Sequence, residues 1–408
     1  MTARAAVFVE SNTTGSGADF INSAIRLGLK PFLLANKADR YGFLEAMQDV
    51  EVLSCDTSSD QTITAAIDTI AVDHAVSLVI STSDYYLQAA ARQAKRLGLT
   101  APDPDAIAMC QDKAIQAQVL AHQGIGVPTD HVTVNTVADI DEALFKVGLP
   151  CIVKPVVGTG SINVRLVRAQ RDARAMATAI LAAKVNDRGQ TVQNRALLMS
   201  YVEGREFSVE ILDAEVIGVT AKHLGPLPYF VETGHDFPAP IPEKLTQQLG
   251  ETAQRAVLTL GLDKGPAHVE LRYDGDAIKV IEINPRLAGG NIPTLMRLAT
   301  GHDMTEMVLR SALGLSRPKD IDAKVHTALR FIIPGHNSWF SPIGKRGQIR
   351  AQFGLEDVTY YRQFPVNFRC TYDFNDRLGH VIATDPSPVS AMTRADNAIV
   401  HICRSKEN

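Results

Sequence analysis

Residues Val280–Met296 read VIEINPRLAGGNIPTLM. The opening VIEIN has strand character, Pro285 ends it, and Arg286 and the pair Gly289–Gly290 follow. Side chains alternate faces along a strand, so Ile281 and Ile283 are predicted to enter a core. Glu282 and Asn284 then share the other face, about 7 Å apart. A carboxylate and a carboxamide are thus aimed at one place, with a guanidinium just beyond. The stretch before it, GPAHVELRYDGDAIKVIEINP (Gly265–Pro285), supplies a partner strand. Asp274-Gly275-Asp276 is a strong turn signal. Folding back about it brings Glu270 to Glu282 and Asn284, with His268 at the periphery. Two carboxylates and an amide without cysteine form an oxygen-rich set suited to Mg²⁺ or Mn²⁺. Such a cation keeps waters and bridges substrate phosphates. Arg286 is placed to neutralise charge developing on a transferring phosphoryl group or an oxyanion.

Two further stretches join this hairpin. IVKPVVGTGSINV (Ile152–Val164) is a pair of β runs around a glycine-rich loop. Lys154 closes the first run, and the N–H groups of Gly158, Gly160 and Ser161 are suited to cradling phosphate oxygens. The spacing is not that of a Walker A loop, because GxxxxGK[ST] is absent. From these residues alone, a flap over a nucleotide and a plain hairpin with a structural lysine remain equal readings. LLMSYVEGREFSVE (Leu197–Glu210) reads as strand, turn at Glu203-Gly204, and strand. Its edge offers backbone groups to an adenine and an acid to a ribose, a common and unspecific pattern.

The first hundred residues alternate strand and helix, which implies a parallel sheet covered by helices. RAAVFVE, PFLLA, VEVLSCD and VSLVIST are the β runs, and SNTTGSG (Ser11–Gly17) is a turn, structural by default. A proline-rich boundary follows at TAPDPDA, residues 100–106. The 408 residues suffice for two or three domains. Hydrophobic content is 45%, charged content 21% and net charge −4, so neither nucleic acid nor an anionic membrane is an expected partner. Cys55, Cys110, Cys151, Cys370 and Cys403 are scattered, odd in number and without CxxC spacing. They read as reduced thiols of a cytoplasmic protein. The N-terminal apolar run is too short for a secretory signal, and no run of 18 apolar residues predicts a membrane span.

In this order, CQDK (Cys110–Lys113), IVKPVVGTGS, YVEGREFSVE, AHVELRY and VIEINPRLAGG resemble the ATP-grasp superfamily of carboxylate–amine ligases. YFVETGHDFPAPIP (Tyr229–Pro242) and DRLGHVIATDPSPVSAM (Asp376–Met392) resemble its L-amino acid ligase branch, which forms dipeptides. The resemblance spans roughly residues 100–310. It implies an α/β chain, α+β in its ATP-grasp part, with a pre-ATP-grasp domain over 1–100, an ATP-grasp region over 101–310 whose part 125–205 is a lid, and a C-terminal subdomain over 311–408.

The resemblance also implies roles. Lys113 and Lys154 contact ATP, and Gly158, Gly160 and Ser161 close over its phosphates. Met199, Ser200, Tyr201 and Val202 hold adenine through the backbone, and Glu206 holds the ribose. Glu270, Glu282 and Asn284 bind two Mg²⁺ (or Mn²⁺). Arg286 and Lys154 are catalytic. Glu232 and His235 meet the amino acid, the acid pairing with its ammonium group, beside Arg286, Gly289 and Gly290. Met199 and Ser200 replace the acidic or basic pair frequent at this hinge, and Gly290 stands where some dipeptide ligases carry a bulky residue. The implied reaction joins a small-molecule carboxylate to an amine with release of ADP and phosphate. Alternatives at this point are ligation of a non-amino-acid acid or amine in a specialised-metabolite or siderophore pathway, a purine-pathway or biotin-carboxylase-like enzyme, and an ATP-binding module without chemistry. The lack of a biotin-accepting MKM segment counts against the biotin reading. A homodimer is the expected assembly by frequency.

Overall fold

The computed structural model describes residues 3–404 apart from 14, 187, 193, 319 and 320, so Thr14 of the Ser11–Gly17 turn lies outside the described residues. Strands Arg4–Val9, Lys30–Ala35, Glu51–Ser54 and Ala75–Ile80 form a parallel sheet, with Arg4–Val9 between Lys30–Ala35 and Ala75–Ile80. Arg4–Val9 and Lys30–Ala35 are nearly continuous buried apolar runs because helices cover both faces, whereas the edge strand Glu51–Ser54 is largely exposed. Ala5, Val7 and Val9 pack with Ile63, Ile67 and Ala90 on one side. Ala6 and Phe8 pack with Phe20, Ile21 and Met307 on the other.

The largest sheet has eight antiparallel strands, in the order Ile278–Asn284, Pro266–Tyr273, Arg205–Leu212, Glu215–Leu224, Glu232–Phe237, His326–Phe331, Gly379–Asp385, Asp357–Tyr360. The last three strands come from the C-terminal quarter and extend the same sheet, with a core of their own against helix Pro388–Cys403. Strand alternation sorts the central residues by face. Phe207, Val209, Ile211, Ala267, Val269 and Leu271 pack against helix Glu243–Thr259. Glu206, Ser208, Glu210, His268, Glu270 and Arg272 therefore share the opposite face.

A separate four-stranded antiparallel sheet, His131–Val134, Ala196–Ser200, Cys151–Pro155, Arg165–Val167, carries its own core with helices Ile140–Val147 and Gln170–Ala182. The two strands that LLMSYVEGREFSVE predicts on either side of Glu203-Gly204 are both present. Ala196–Ser200 and Arg205–Leu212 belong to different sheets, and the chain crosses between them at Glu203-Gly204. Gly204 has φ +101°, and a Cβ there would lie 2.2 Å from the Tyr273 carbonyl oxygen, so only glycine lets the crossing pass this close.

Candidate nucleotide and substrate site

The hairpin closes at Asp274, whose carboxylate accepts from the Asp276 and Ala277 N–H groups at 2.9 and 2.8 Å. The register sets Glu270 opposite Glu282 and His268 opposite Asn284. Between the Glu282 and Val280 pairings the register shifts, leaving Ile281 unpaired. The core therefore receives Val280 with Ile283, whereas alternation predicted Ile281 with Ile283. A bulge of this kind re-aims side chains beside a site. Ile278–Asn284 is an edge strand, and it is covered rather than left open. The Gln116 amide bonds both backbone groups of Ile283, at 2.9 Å to N and 2.8 Å to O, and the Val280 N–H reaches the Gly126 carbonyl at 2.8 Å.

Cations converge on this acidic face. Lys113, at the start of helix Lys113–His122, is 3.2 Å from Glu282 Oε1 and donates to the Gly158 carbonyl at 2.6 Å. Lys154 is 4% exposed and forms no ion pair within 4.0 Å among the described residues. Burial pushes its amine down to about 8 against the pull of Glu282. Lys222, unrecognised in the sequence, is the hub. Its amine is 2.8 Å from Glu232 Oε1, 2.8 Å from Glu270 Oε1 and 3.1 Å from Glu206 Oε1. Despite burial, these carboxylates hold the ammonium well above its usual range. Against the cost of burial, Lys222 likewise holds Glu232 and Glu270 ionised, well below the usual carboxylate range.

The remaining residues divide into a hinge, a loop and a corner. Arg272 donates to Glu206 Oε2 from Nε at 3.0 Å and to the Val202 carbonyl at 2.9 Å, tying the expected ribose acid to the expected adenine hinge. Met199 lies within Ala196–Ser200, the Ser200 N–H reaches the Asp130 carbonyl at 2.8 Å, and Tyr201 packs near Phe230. Gly160 and Ser161 have φ of +66° and +60°, and the Ser161 hydroxyl donates to the Phe230 carbonyl at 3.2 Å. Arg286 is held by Asp84 of the N-terminal sheet's last loop, Nε to Oδ1 at 2.7 Å.

Glu232 and His235 sit on strand Glu232–Phe237. The second Glu232 oxygen takes Arg377 Nη2 at 2.5 Å, so both its oxygens already face cations. His235 is fully buried, edge-on to Phe331, with neither ring nitrogen hydrogen-bonded among the described residues; burial pushes its imidazole down to about 3. Gly290 abuts it, since a Cβ there would stand 2.6 Å from His235 Nε2, while neighbouring Gly289 faces open space. Lys222 sits in an alternating strand, where its polar position was a usable signal. Asp84 and Arg377 had none, because their partners are 202 and 145 residues away.

Among the described residues, no three His, Cys, Asp or Glu side chains converge on a ready-made metal position. Glu270, Glu282 and Asn284 nevertheless fit a hard cation that takes further oxygens from a phosphate. Each carboxylate has its internal donors on Oε1, which leaves Oε2 uncommitted.

The ATP-grasp domain family matches residues 147–294. A relative from Sinorhizobium fredii, "Uncharacterized protein y4rH", is 30% identical over 403 residues, 98% of this chain and 82% of that protein. Human carnosine synthase 1 is 28% identical over 237 residues, 54% of this chain and 29% of that protein, so the chain spans under a third of that relative. The crystal structure of an L-amino acid ligase from Bacillus licheniformis shares the fold, with a TM-score of 0.81 at 20% identity and 98% coverage of both chains. No helix among the described residues is long and apolar enough to cross a membrane.

Proposed function

This chain belongs to the ATP-grasp family of ATP-dependent carboxylate–amine ligases, and from that premise we propose that it activates the carboxylate of an amino acid as an acyl phosphate and couples it to an amine. The observation that carries the reading is the pairing of Glu270 with Glu282 on a sheet face where Lys113 and Lys222 converge and beside which Arg286 is anchored. Similarity to carnosine synthase supports an amino-acid substrate.

A carboxylate is a poor electrophile at neutral pH. Its oxygen attacks the γ-phosphorus of ATP, the bond to the β-phosphate bridging oxygen breaks, and ADP leaves. An amine then attacks the acyl carbon, loses a proton and expels phosphate. In the first step, the chain's task is positioning and charge. Lys113 and Lys154 receive the phosphates under the loop of Gly158, Gly160 and Ser161, in the lid we assign to residues 125–205. The Met199–Val202 backbone takes the adenine. Glu206, fixed by Arg272 and Lys222, accepts from the ribose hydroxyls with its remaining lone pairs. Two Mg²⁺ (or Mn²⁺), held by Glu270, Glu282 and Asn284, supply charge neutralisation at the phosphates when bound. Arg286 stabilises the oxyanion of the second step. Glu232, His235, Gly289 and Gly290 line the amino-acid position. Its five unpaired cysteines support a cytoplasmic setting. Twofold oligomers are the commonest, so a homodimer is the assembly we propose.

The test is a pairwise screen of amino acids for Mg²⁺-dependent release of ADP and phosphate. AMP and pyrophosphate as products would overturn the acyl-phosphate route. Glu282→Ala should abolish turnover and the Mg-ATP-induced rise in Tm, and loss of its 3.2 Å ion pair with Lys113 should lower the ligand-free Tm. Near wild-type turnover in that variant would sink the metal assignment.

A further inference from the structure

The three strands at the edge of the large sheet align polar residues in two rows. Glu210, His268 and Asn284 form one, and Ser208, Glu270 and Glu282 the next. His268 links the rows. Its Nδ1 is 2.7 Å from Glu210 Oε1 and its Nε2 is 3.2 Å from Glu270 Oε1. The Ser208 hydroxyl donates to the same Glu210 oxygen at 3.0 Å. Glu210 and His268 are 2% and 4% exposed, so water has little part in this chain of contacts. An imidazole set between two carboxylate oxygens donates from both nitrogens.

On Glu270, both internal donors fall on one oxygen. Lys222 Nζ is 2.8 Å from Oε1, and His268 Nε2 is 3.2 Å from the same atom. Two donors on one oxygen stop the carboxylate from rotating about its terminal bond, and they present Oε2 in a single direction. We propose that His268, anchored by Glu210, is a positioning residue that aims the free Oε2 of Glu270 at the divalent cation. This rests on the assignment of Glu270 as a metal ligand. Hydrogen bonds of this outer kind typically change metal affinity by about 10–100-fold.

The two nitrogens of His268 can be separated by substitution. His268→Gln keeps an N–H near the place of Nε2, facing Glu270. His268→Asn keeps one near the place of Nδ1, facing Glu210 only. Mn²⁺ binding to the full-length protein with a non-hydrolysable ATP analogue, followed by electron paramagnetic resonance, should be about tenfold or more weaker in His268→Asn. His268→Gln should recover much of that loss, while analogue affinity without metal stays unchanged in both. Glu210→Gln is the isosteric companion. It should weaken Mn²⁺ severalfold and carries the test if His268→Asn does not fold, as Tm will show. Wild-type Mn²⁺ affinity in His268→Asn, or in folded Glu210→Gln, overturns the positioning role while leaving the metal site standing. If Glu270→Gln also binds Mn²⁺ like wild type, the metal assignment and this inference fall together.

Discussion

Gly290 has a φ of +60°, and an ideal Cβ on it would stand 2.6 Å from His235 Nε2, 3.4 Å from its Cδ2 and 3.5 Å from Glu232 Oε2. Gly290→Ala therefore meets two penalties. Left-handed backbone costs an alanine roughly 1–2 kcal/mol. The methyl also overlaps an imidazole with nowhere to retreat, because His235 is fully buried and its ring stands edge-on to Phe331, centroids 5.6 Å apart. Overpacking of this kind costs about 1–3 kcal/mol. Together the substitution should destabilise by about 2–5 kcal/mol. The parts separate in a double-mutant cycle with His235→Ala, which removes the ring and leaves only the backbone penalty. The coupling should be about 1–3 kcal/mol. Thermal melting of the four proteins measures it. The fall in Tm caused by Gly290→Ala should be markedly smaller when His235 is already alanine. Specificity gives a second readout. The added methyl occupies space between Glu232 and His235, so kcat/KM for a bulky carboxylate substrate should fall more than for a small one. Equal Tm shifts in both backgrounds, with uniform loss across substrates, would refute this reasoning and leave Gly290 as a turn residue only.

Lys154 gives a pH signature. Its amine titrates near 8 in the folded chain, against 10.5 ordinarily, so the unfolded chain holds a proton that the folded chain sheds between those values. Stability from this group is therefore lowest below pH 8 and rises with pH through that window. Bound phosphates should restore the proton, giving net proton uptake on ATP binding at about pH 8.5. Calorimetry in two buffers of different ionisation enthalpy reads this, and buffer-independent heats in wild type would contradict it. Asp84→Ala releases Arg286 from its 2.7 Å contact, and kcat should fall about tenfold or more with the KM for ATP unchanged. A raised KM with intact kcat would instead make Asp84 part of nucleotide binding. Gly160, at φ +66°, lies where a Cβ would meet Phe374 Cδ1 at 2.6 Å. Gly160→Ala should weaken ATP binding severalfold, and adding Phe374→Ala should recover part of it; no recovery would show that backbone strain alone is responsible.

The order of motifs, the alternation of strand and helix in the first hundred residues and the turn at Asp274–Asp276 were enough to determine fold class and family. Each depends on residues close in the chain. The same locality made the Glu270–Glu282 pairing legible, because a tight hairpin sets its own register. It failed at Ile281, where a bulge exchanged it for Val280 in the core, and it carried no sign that the strands flanking Gly204 join different sheets. A bulge and a crossover depend on what packs above and below, and local spacing carries no record of that. The electrostatics of the site were decided by tertiary structure alone. Lys222 gathers Glu206, Glu232 and Glu270 from three strands, Arg377 arrives from 145 residues away to take the other oxygen of Glu232, and Asp84 crosses from the N-terminal sheet to hold Arg286. Charge interactions act through space and fall off with distance, so residues far apart in the chain set the ionisation of each group once folding has brought them within a few ångströms.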